Sequence, residues 1–485
     1  MGEQASIPIA PPPRVVSRGL EKDRRLRLLE LSLFLFVWSV CGVAINSANL
    51  SAFNLQQAGI EAMVERRQFS LEGSGTPQFK IKVYYYDDGR PFGDTFMYNG
   101  RQYAAKQPGQ FMAGAVVYFF LRLFGLTYLN NYTLTSALVA FFTSSLAIAA
   151  AALAVFRIAR LFTGGKSLSW PLASAIFYAF GTTAFVYSGL AYHDTLAATY
   201  CVIAGYLILL LTRKQVSERN APLIAGAAGI LLGLTLSTSM LPFFMVSVTG
   251  IYLISTNKWK IGLVALNGAL VGLAPMLIYN ARSFGNPLLS PNLAGVYPDS
   301  FLHFNLQNSI GKAWFYASEI TLYDPIIWCG ILGLAFFPRA LRRERLLLVG
   351  LFIAQAFQVL NIDTHGGCHY GPRFLLPVLP FAVISLVGFY FLQAKMARWA
   401  ATVAVALVGA AGIAINAVGA FYGAMYCDVQ VYAFWPGLAA LQGGGLQDLP
   451  LAKWLVVPVI FSLLLLIYSM SAQAGQKEST ALKAP

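Results

Sequence analysis

Charge is what this sequence has least of. Only 11% of its 485 residues are Asp, Glu, Lys or Arg, where a soluble domain carries about 25%. That deficit excludes an ordinary water-soluble protein if the apolar residues form membrane-length runs, and they do. Residues 29–48, 132–156, 168–190, 195–211 and 454–472 are examples, each near the roughly 20 residues that cross a bilayer core. Cysteine is scarce too: five residues and no CxxC pair exclude a disulfide framework. Four histidines show no metal-ligand pattern at helical spacing. Almost no ionisable residue falls deep in an apolar run, which argues against a coupled transporter. No stretch is long enough for a soluble catalytic domain, and no internal repeat is evident.

What charge there is sits at the ends of the apolar runs. The net charge of +14 is not gathered on one module, so nucleic acid is not an expected partner. Basic residues mark cytoplasmic loops, and the segments 157–166, 213–219, 258–260, 339–345 and 395–398 are basic. The N-terminal tail, residues 1–28, is Pro-rich and ends in Arg24, Arg25 and Arg27. The apolar stretch after it exceeds a signal-peptide core and reads as a retained first helix. These signals predict an all-α polytopic membrane protein of twelve spans with both termini inside. The spans are 29–48, 132–156, 168–190, 194–212, 221–239, 241–257, 261–280, 323–338, 346–362, 374–393, 399–423 and 454–472. The transmembrane domain is then 29–472, followed by a cytoplasmic tail, 473–485. The first outer loop, 49–131, contains a further apolar stretch, 109–125. As a thirteenth span it would turn Arg339, Arg342, Arg343 and Arg345 outward, so it reads as an interfacial helix. Of 20 acidic residues, 13 fall outside, and they were not used to build the scheme.

Four outer segments can carry chemistry. In the first, 93–109, Asp94 and Lys106 flank the turn signal Asn99-Gly100. A Lys there can meet a lipid-linked phosphate as a point charge, and an Asp can take a proton from a hydroxyl. The plainer reading is a solvated turn. The second is Tyr192-His193-Asp194, where Asp194 can be a simple helix cap. The third, 277–287, ends a helix in a Gly/Pro turn, and Arg282 there can be a headgroup anchor. The fourth, 363–377, holds Asp363, His365, Cys368, His369, Tyr370 and Arg373. His365 and His369 are four residues apart, but the glycines between them disfavour a helix and hence a metal site. An Arg after Gly-Pro at a helix start suits an anion. Cys368 and Cys427 are the two cysteines expected outside. An oxidising compartment would let them pair if their Cα atoms lie within about 7 Å.

Together these segments resemble a family. The run Asp94…Asn99-Gly100…Tyr103…Lys106…Pro108-Gly109, then Gly181-Thr182…Tyr187-Ser188…His193, then Tyr279-Asn280…Phe284-Gly285-Asn286-Pro287, then Gly366-Gly367…Gly371-Pro372-Arg373-Phe374-Leu375 is similar to bacterial GT-C membrane glycosyltransferases. The likeness is to the group of the protein mannosyltransferases and the lipid A aminoarabinose transferases. It implies an inverting enzyme of the bacterial inner membrane, working on the periplasmic face. A sugar would leave a polyprenyl-phosphate donor for a lipid, glycan or protein acceptor. By position it implies Asp94, Asp194 and Glu61 as catalytic acids, and Lys106, Arg373 and Arg282 as phosphate contacts. Tyr103, His193, His365, His369 and Tyr370 would line the cavity, and a divalent metal is left open. Two places depart from the family pattern. Ala105 stands where an acid often precedes the Lys, and 46–49 carries no acid, Glu61 being the nearest. An oligosaccharide polymerase or ligase, a lipid-linked saccharide transporter and a non-catalytic scaffold are the competing readings.

Overall fold

The computed structural model describes residues 15–85, 91–92, 94–256, 259–296, 302, 304–362, 364, 368–425, 432–443 and 448–481. Seven helices among them are long and apolar enough to cross a membrane: Arg24–Val43, Tyr132–Phe162, His193–Thr212, Ala221–Thr238, Trp259–Phe284, Lys395–Tyr422 and Ala452–Ser471. An eighth span results if Leu306–Tyr323 and Ile326–Phe336, bent by 108° at their junction, count as one. The remaining expected spans are helical but short or interrupted. Residues 241–257 give the 14-residue helix Phe243–Thr256. Residues 346–362 belong to Arg342–Leu360, which opens on Arg342, Arg343, Glu344 and Arg345. Gly109–Leu123 has 15 residues, about 22 Å of rise, short of a roughly 30 Å hydrocarbon core.

Two of the expected helices are broken and a third, bent helix stands where a loop was expected, and the residues at the breaks explain why. The run 168–190 is split into Ser169–Phe180 and Ala184–Ser188 at Gly181-Thr182-Thr183. Arg373–Phe391 alternates 3-10 and α turns, with Pro377 and Pro380 removing backbone donors. Residues 306–323, expected in a loop, form a helix that turns sharply at Asp324-Pro325. The breaks at 183 and 324 support each other. The Thr183 N–H and hydroxyl donate to the two oxygens of buried Asp324 at 2.6 and 2.9 Å. These backbone irregularities lie inside protein, as they must where lipid offers no hydrogen bonds.

The core is formed by Leu33, Val37, Val155, Ala382, Val383 and Leu386 from four helices, all fully buried. Trp259–Phe284 and Ala452–Ser471 are only 17% buried along their apolar windows, so they present side chains such as Leu266, Leu270, Phe461 and Leu464 outward. Trp259–Phe284 is held by close backbone approach to Ala221–Thr238. A Cβ at Gly233 would lie 2.1 Å from the Ala269 carbonyl, and one at Gly272 would lie 2.1 Å from the Ile230 carbonyl. Small residues at four-residue spacing are what membrane helices use to pack without a hydrophobic driving force. Gly233→Leu should therefore separate the pair and destabilise the protein by about 3 kcal/mol. Thermal unfolding in detergent checks this, and an unchanged midpoint would contradict the packing.

Helices are not the whole fold. Two small antiparallel strand pairs lie in the first long loop: Tyr84–Tyr85 pairs with Pro91–Phe92, and Thr95–Tyr98 pairs with Arg101–Ala104 as a hairpin. They are short additions to an otherwise helical membrane protein. The hairpin follows from its two-residue turn, in which Asn99 (φ 48°) and Gly100 (φ 74°) both adopt positive φ, the requirement of a type I′ turn.

Candidate active site

The hairpin creates the first part of the site. Its register places Thr95 opposite Ala104, so the residues just beyond each strand end up side by side. Ala105 N–H donates to the Asp94 carbonyl at 2.7 Å, and Lys106 Nζ donates to Asp94 Oδ1 at 2.7 Å. Lys106 is largely covered while the Asp94 side chain is 55% exposed. Although the Asp94 side chain is half open to solvent, the protein packed around it opposes ionisation, but Lys106, then Arg373 and His193, outweigh this and hold its pKa below the usual carboxylate value. Asp94 thus shares one electrostatic neighbourhood with residues 99 and 279 positions further along the chain.

The platform under the hairpin is the third motif. Phe96 and Tyr103 pack on Phe284, with ring centroids 6.0 and 5.2 Å away. The Tyr98 hydroxyl donates to the Phe284 carbonyl at 3.3 Å. Asn280 Nδ2 donates to the Pro287 carbonyl at 3.0 Å, closing the turn in which Gly285 takes φ 75°. Tyr103 is therefore hairpin core, where the sequence suggested cavity lining. Gly109, three residues after Lys106, leaves room for a close approach, since a Cβ there would sit 2.2 Å from Thr238 Oγ1. This seats the start of Gly109–Leu123 against the end of Ala221–Thr238, next to Ser239.

Ser239 links the hairpin region to the second acid. Its hydroxyl donates to Asp194 Oδ1 at 2.7 Å. Asp194 is fully buried, and its Oδ2 has no hydrogen-bond partner. It does not cap its helix: Tyr192 is the N-cap residue, with no side-chain cap bond. His193 Nε2 lies 3.5 Å from Asp194 Oδ1. Its Nδ1 faces the Gln56 side-chain amide, 3.1 Å from Nε2. The start of this helix is fixed from behind by the π-turn Phe141–Ser145. There the Ser144 hydroxyl accepts from the Tyr192 N–H at 3.0 Å, and the Trp38 indole N–H donates to the Phe141 carbonyl at 3.0 Å. A π-turn is a known device at functional positions.

Arg373 comes from the fourth segment. It opens the 3-10 turn Arg373–Leu375 after Pro372, and Nη1 donates to the Tyr192 hydroxyl at 2.7 Å. Its guanidinium also lies over the Tyr192 ring, 5.9 Å from the centroid. Gly371 takes φ 67°, with Thr183 packed where a Cβ would be.

The structure thus sets Asp94, Lys106, His193, Asp194 and Arg373 within electrostatic range of one another. Of the remaining candidates, Glu61 and Tyr370 engage other groups. Glu61 is buried, paired with Arg66 and accepting from the Ser74 hydroxyl at 2.9 Å. Arg282 is exposed in the last turn of Trp259–Phe284 and makes no ion pair with the cluster among the described residues. Tyr370 is fully buried and donates to the Ile415 carbonyl at 2.7 Å, a packing role. His369 Nε2 lies 3.8 Å from Glu319 Oε2. His365 and Asp363 lie outside the described residues. Cys368 is disulfide-bonded, Cys41, Cys201 and Cys329 are free, and Cys427 lies outside the described residues. No three His, Cys, Asp or Glu side chains gather into a metal-holding group among the described residues. Gln56, Ser239 and Glu319 were not nominated from sequence, and Tyr192 entered only as the neighbour of His193. Each matters through a partner distant along the chain.

Fold and site define an integral membrane protein with multiple apolar helices. Two solved membrane-protein structures are similar to it over most of its length. ArnT from Cupriavidus metallidurans bound to undecaprenyl phosphate matches with a TM-score of 0.47 and 15% identity, over 94% of this chain and 75% of that one. The archaeal oligosaccharyltransferase AglB from Archaeoglobus fulgidus, in complex with an inhibitory peptide and a dolichol-phosphate, matches with a TM-score of 0.47 and 14% identity. That match covers 85% of this chain and 57% of AglB. These likenesses concern the fold alone. No protein-family model matches the chain, and no curated protein matches it significantly.

Proposed function

We propose that the protein is an inverting glycosyltransferase that moves a sugar from a polyprenyl-phosphate donor to an acceptor hydroxyl on the extracytoplasmic face. The observation that supports this best is the meeting of Asp94–Lys106 with Arg373 and the His193–Asp194 pair, drawn from three distant segments. In the proposed reaction Lys106 and Arg373 hold the donor phosphate. The acceptor oxygen attacks the anomeric carbon from the opposite side, and the carbon–oxygen bond to phosphate breaks. The lipid phosphate leaves with the bonding electrons, and Asp94 takes the hydroxyl proton. Asp194 Oδ2, buried and unpartnered, accepts from and orients a substrate hydroxyl. Asp94 paired to Lys106 is a weak base. When the donor phosphate claims Lys106, Asp94 loses that partner and its basicity rises, so the base is switched on by the donor. The named residues need no metal for these roles; if a divalent ion binds, the two aspartates are the acids to hold it.

Within this reading the chain has twelve spans, with 213–219 and 339–345 cytoplasmic and 281–322 and 363–373 outside. Single cysteines introduced into a cysteine-free background check it. An impermeant reagent applied from outside should label Ser290→Cys and leave Val216→Cys untouched; the reverse pattern would end both this topology and the site built on it.

One structural feature favours a second reading, a lipid-linked saccharide transporter. Broken helices and buried acids are expected of transporters, and the paired breaks at Thr183 and Asp324 supply both. Transfer assays decide between the two: a transporter moves the lipid-linked sugar across vesicles and leaves its glycosidic bond intact.

A further inference from the structure

The other end of the molecule carries a second polar concavity. The helix His193–Thr212 has 20 residues, so its Thr212 end lies roughly 30 Å from His193. A cavity of about 390 Å³ opens there, lined by Thr212, Tyr252, Thr256, Arg339, Arg342, Arg343 and Glu344. Three arginines face one carboxylate, and that carboxylate is engaged elsewhere: Arg213 Nε donates to Glu344 Oε1 at 2.9 Å. Arg339, Arg342 and Arg343 are exposed, and none forms an ion pair among the described residues. Three guanidiniums against a single carboxylate already paired with Arg213 leave a net positive field at the concavity. Guanidinium forks suit phosphate oxygens.

The walls decide between a free phosphate and a phosphate carried by a lipid. The helices that end at this cavity expose apolar side chains along their length. Ile251 and Ile254 do so on Phe243–Thr256, and Leu346 and Ile353 on Arg342–Leu360. A headgroup in the cavity would thus find surfaces for its acyl chains beside it. We propose that this cavity is a stoichiometric binding site for the phosphate headgroup of an anionic phospholipid, separate from the candidate active site and independent of the activity proposed for it.

The test uses the full chain in detergent, incubated with an equimolar mixture of phosphatidylglycerol and phosphatidylcholine and read by native mass spectrometry. One phosphatidylglycerol should remain bound, in about tenfold or greater excess over phosphatidylcholine, since each basic residue near a membrane surface adds appreciably to anionic-lipid binding. The combined Arg339→Gln, Arg342→Gln, Arg343→Gln variant should lose that excess at least about tenfold. Arg343→Gln alone, should the triple variant aggregate, should lose a measurable part of it, and the wild-type excess should shrink as salt rises. Equal retention of the two lipids, or a variant that behaves as wild type, overturns the proposal. Displacement of the lipid by millimolar inorganic phosphate would also overturn it, assigning the cavity to the free anion.

Discussion

Asp94→Asn should lower turnover by roughly a hundredfold to ten-thousandfold, the usual worth of a positioned general base. The substitution keeps size and polarity and removes the charge. Donor binding should survive it, because Lys106 then loses a competitor for the phosphate. That combination separates a base from a structural anchor. If Asp94 merely tied the hairpin ends together, its loss would loosen Lys106 and weaken donor affinity with little selective effect on turnover. Near-normal turnover in a variant that folds and binds donor would disprove the assignment, and Asp194 would be tested next.

The ion pair adds a pH signature. In the free protein the Asp94 pKa is held below the usual carboxylate value, about 3.9. A depressed folded pKa means that the pair stabilises the fold fully above the ordinary value. That contribution is lost as pH falls through the lower, folded one. From about pH 5 upward the free enzyme keeps Asp94 ionised. The acid limb of kcat/KM reports the free enzyme and that of kcat reports the bound one. Binding of the donor phosphate to Lys106 should raise the Asp94 pKa, so the acid limb of kcat should lie at higher pH than that of kcat/KM. Coincident limbs would show that the donor leaves the Asp94–Lys106 pair intact.

Much of this was legible in the chain, and the parts that were not share a cause. Asn99-Gly100 marked a turn, and a two-residue turn between alternating residues is enough to set Asp94 beside Lys106. The membrane class followed from apolar runs. Hydropathy is blind to a break inside such a run, though. Gly181-Thr182-Thr183 and Asp324-Pro325 leave the average almost untouched, yet they split helices, because Thr183 and Asp324 satisfy each other across the fold. Asp194 looked like a cap because it follows a helix start, but the backbone places Tyr192 at that position. What turns Asp194 toward the site is Ser239, 45 residues away. Glu61 was nominated as the acid nearest the first helix, and Arg66, five residues on, claims it. Local pattern shows which groups can react; only the fold shows which already have partners.

Arg373→Ala should weaken donor binding by about 2 to 5 kcal/mol, the range for removing one partner of a desolvated charge pair, or roughly thirtyfold to several thousandfold in Kd. The expectation rests on how Arg373 is held. Nη1 is bonded to the Tyr192 hydroxyl and the guanidinium lies over the Tyr192 and Phe374 rings, so the cation is oriented before any ligand arrives. Pre-organisation of this kind turns a charge into affinity, since little is spent on ordering it. A headgroup anchor would behave differently, because an exposed charge contributes a fraction of a kcal/mol. Two further variants sharpen the reading. Tyr192→Phe keeps the charge and the ring and deletes one hydrogen bond, so it should cost about 0.5–1.5 kcal/mol. Arg373→Lys keeps the charge and loses the planar fork, and should fall between wild type and alanine. Donor affinity measured by isothermal titration with a polyprenyl phosphate would order the four proteins wild type, Tyr192→Phe, Arg373→Lys, Arg373→Ala. If all four bind alike, Arg373 holds the fold and the phosphate is bound elsewhere.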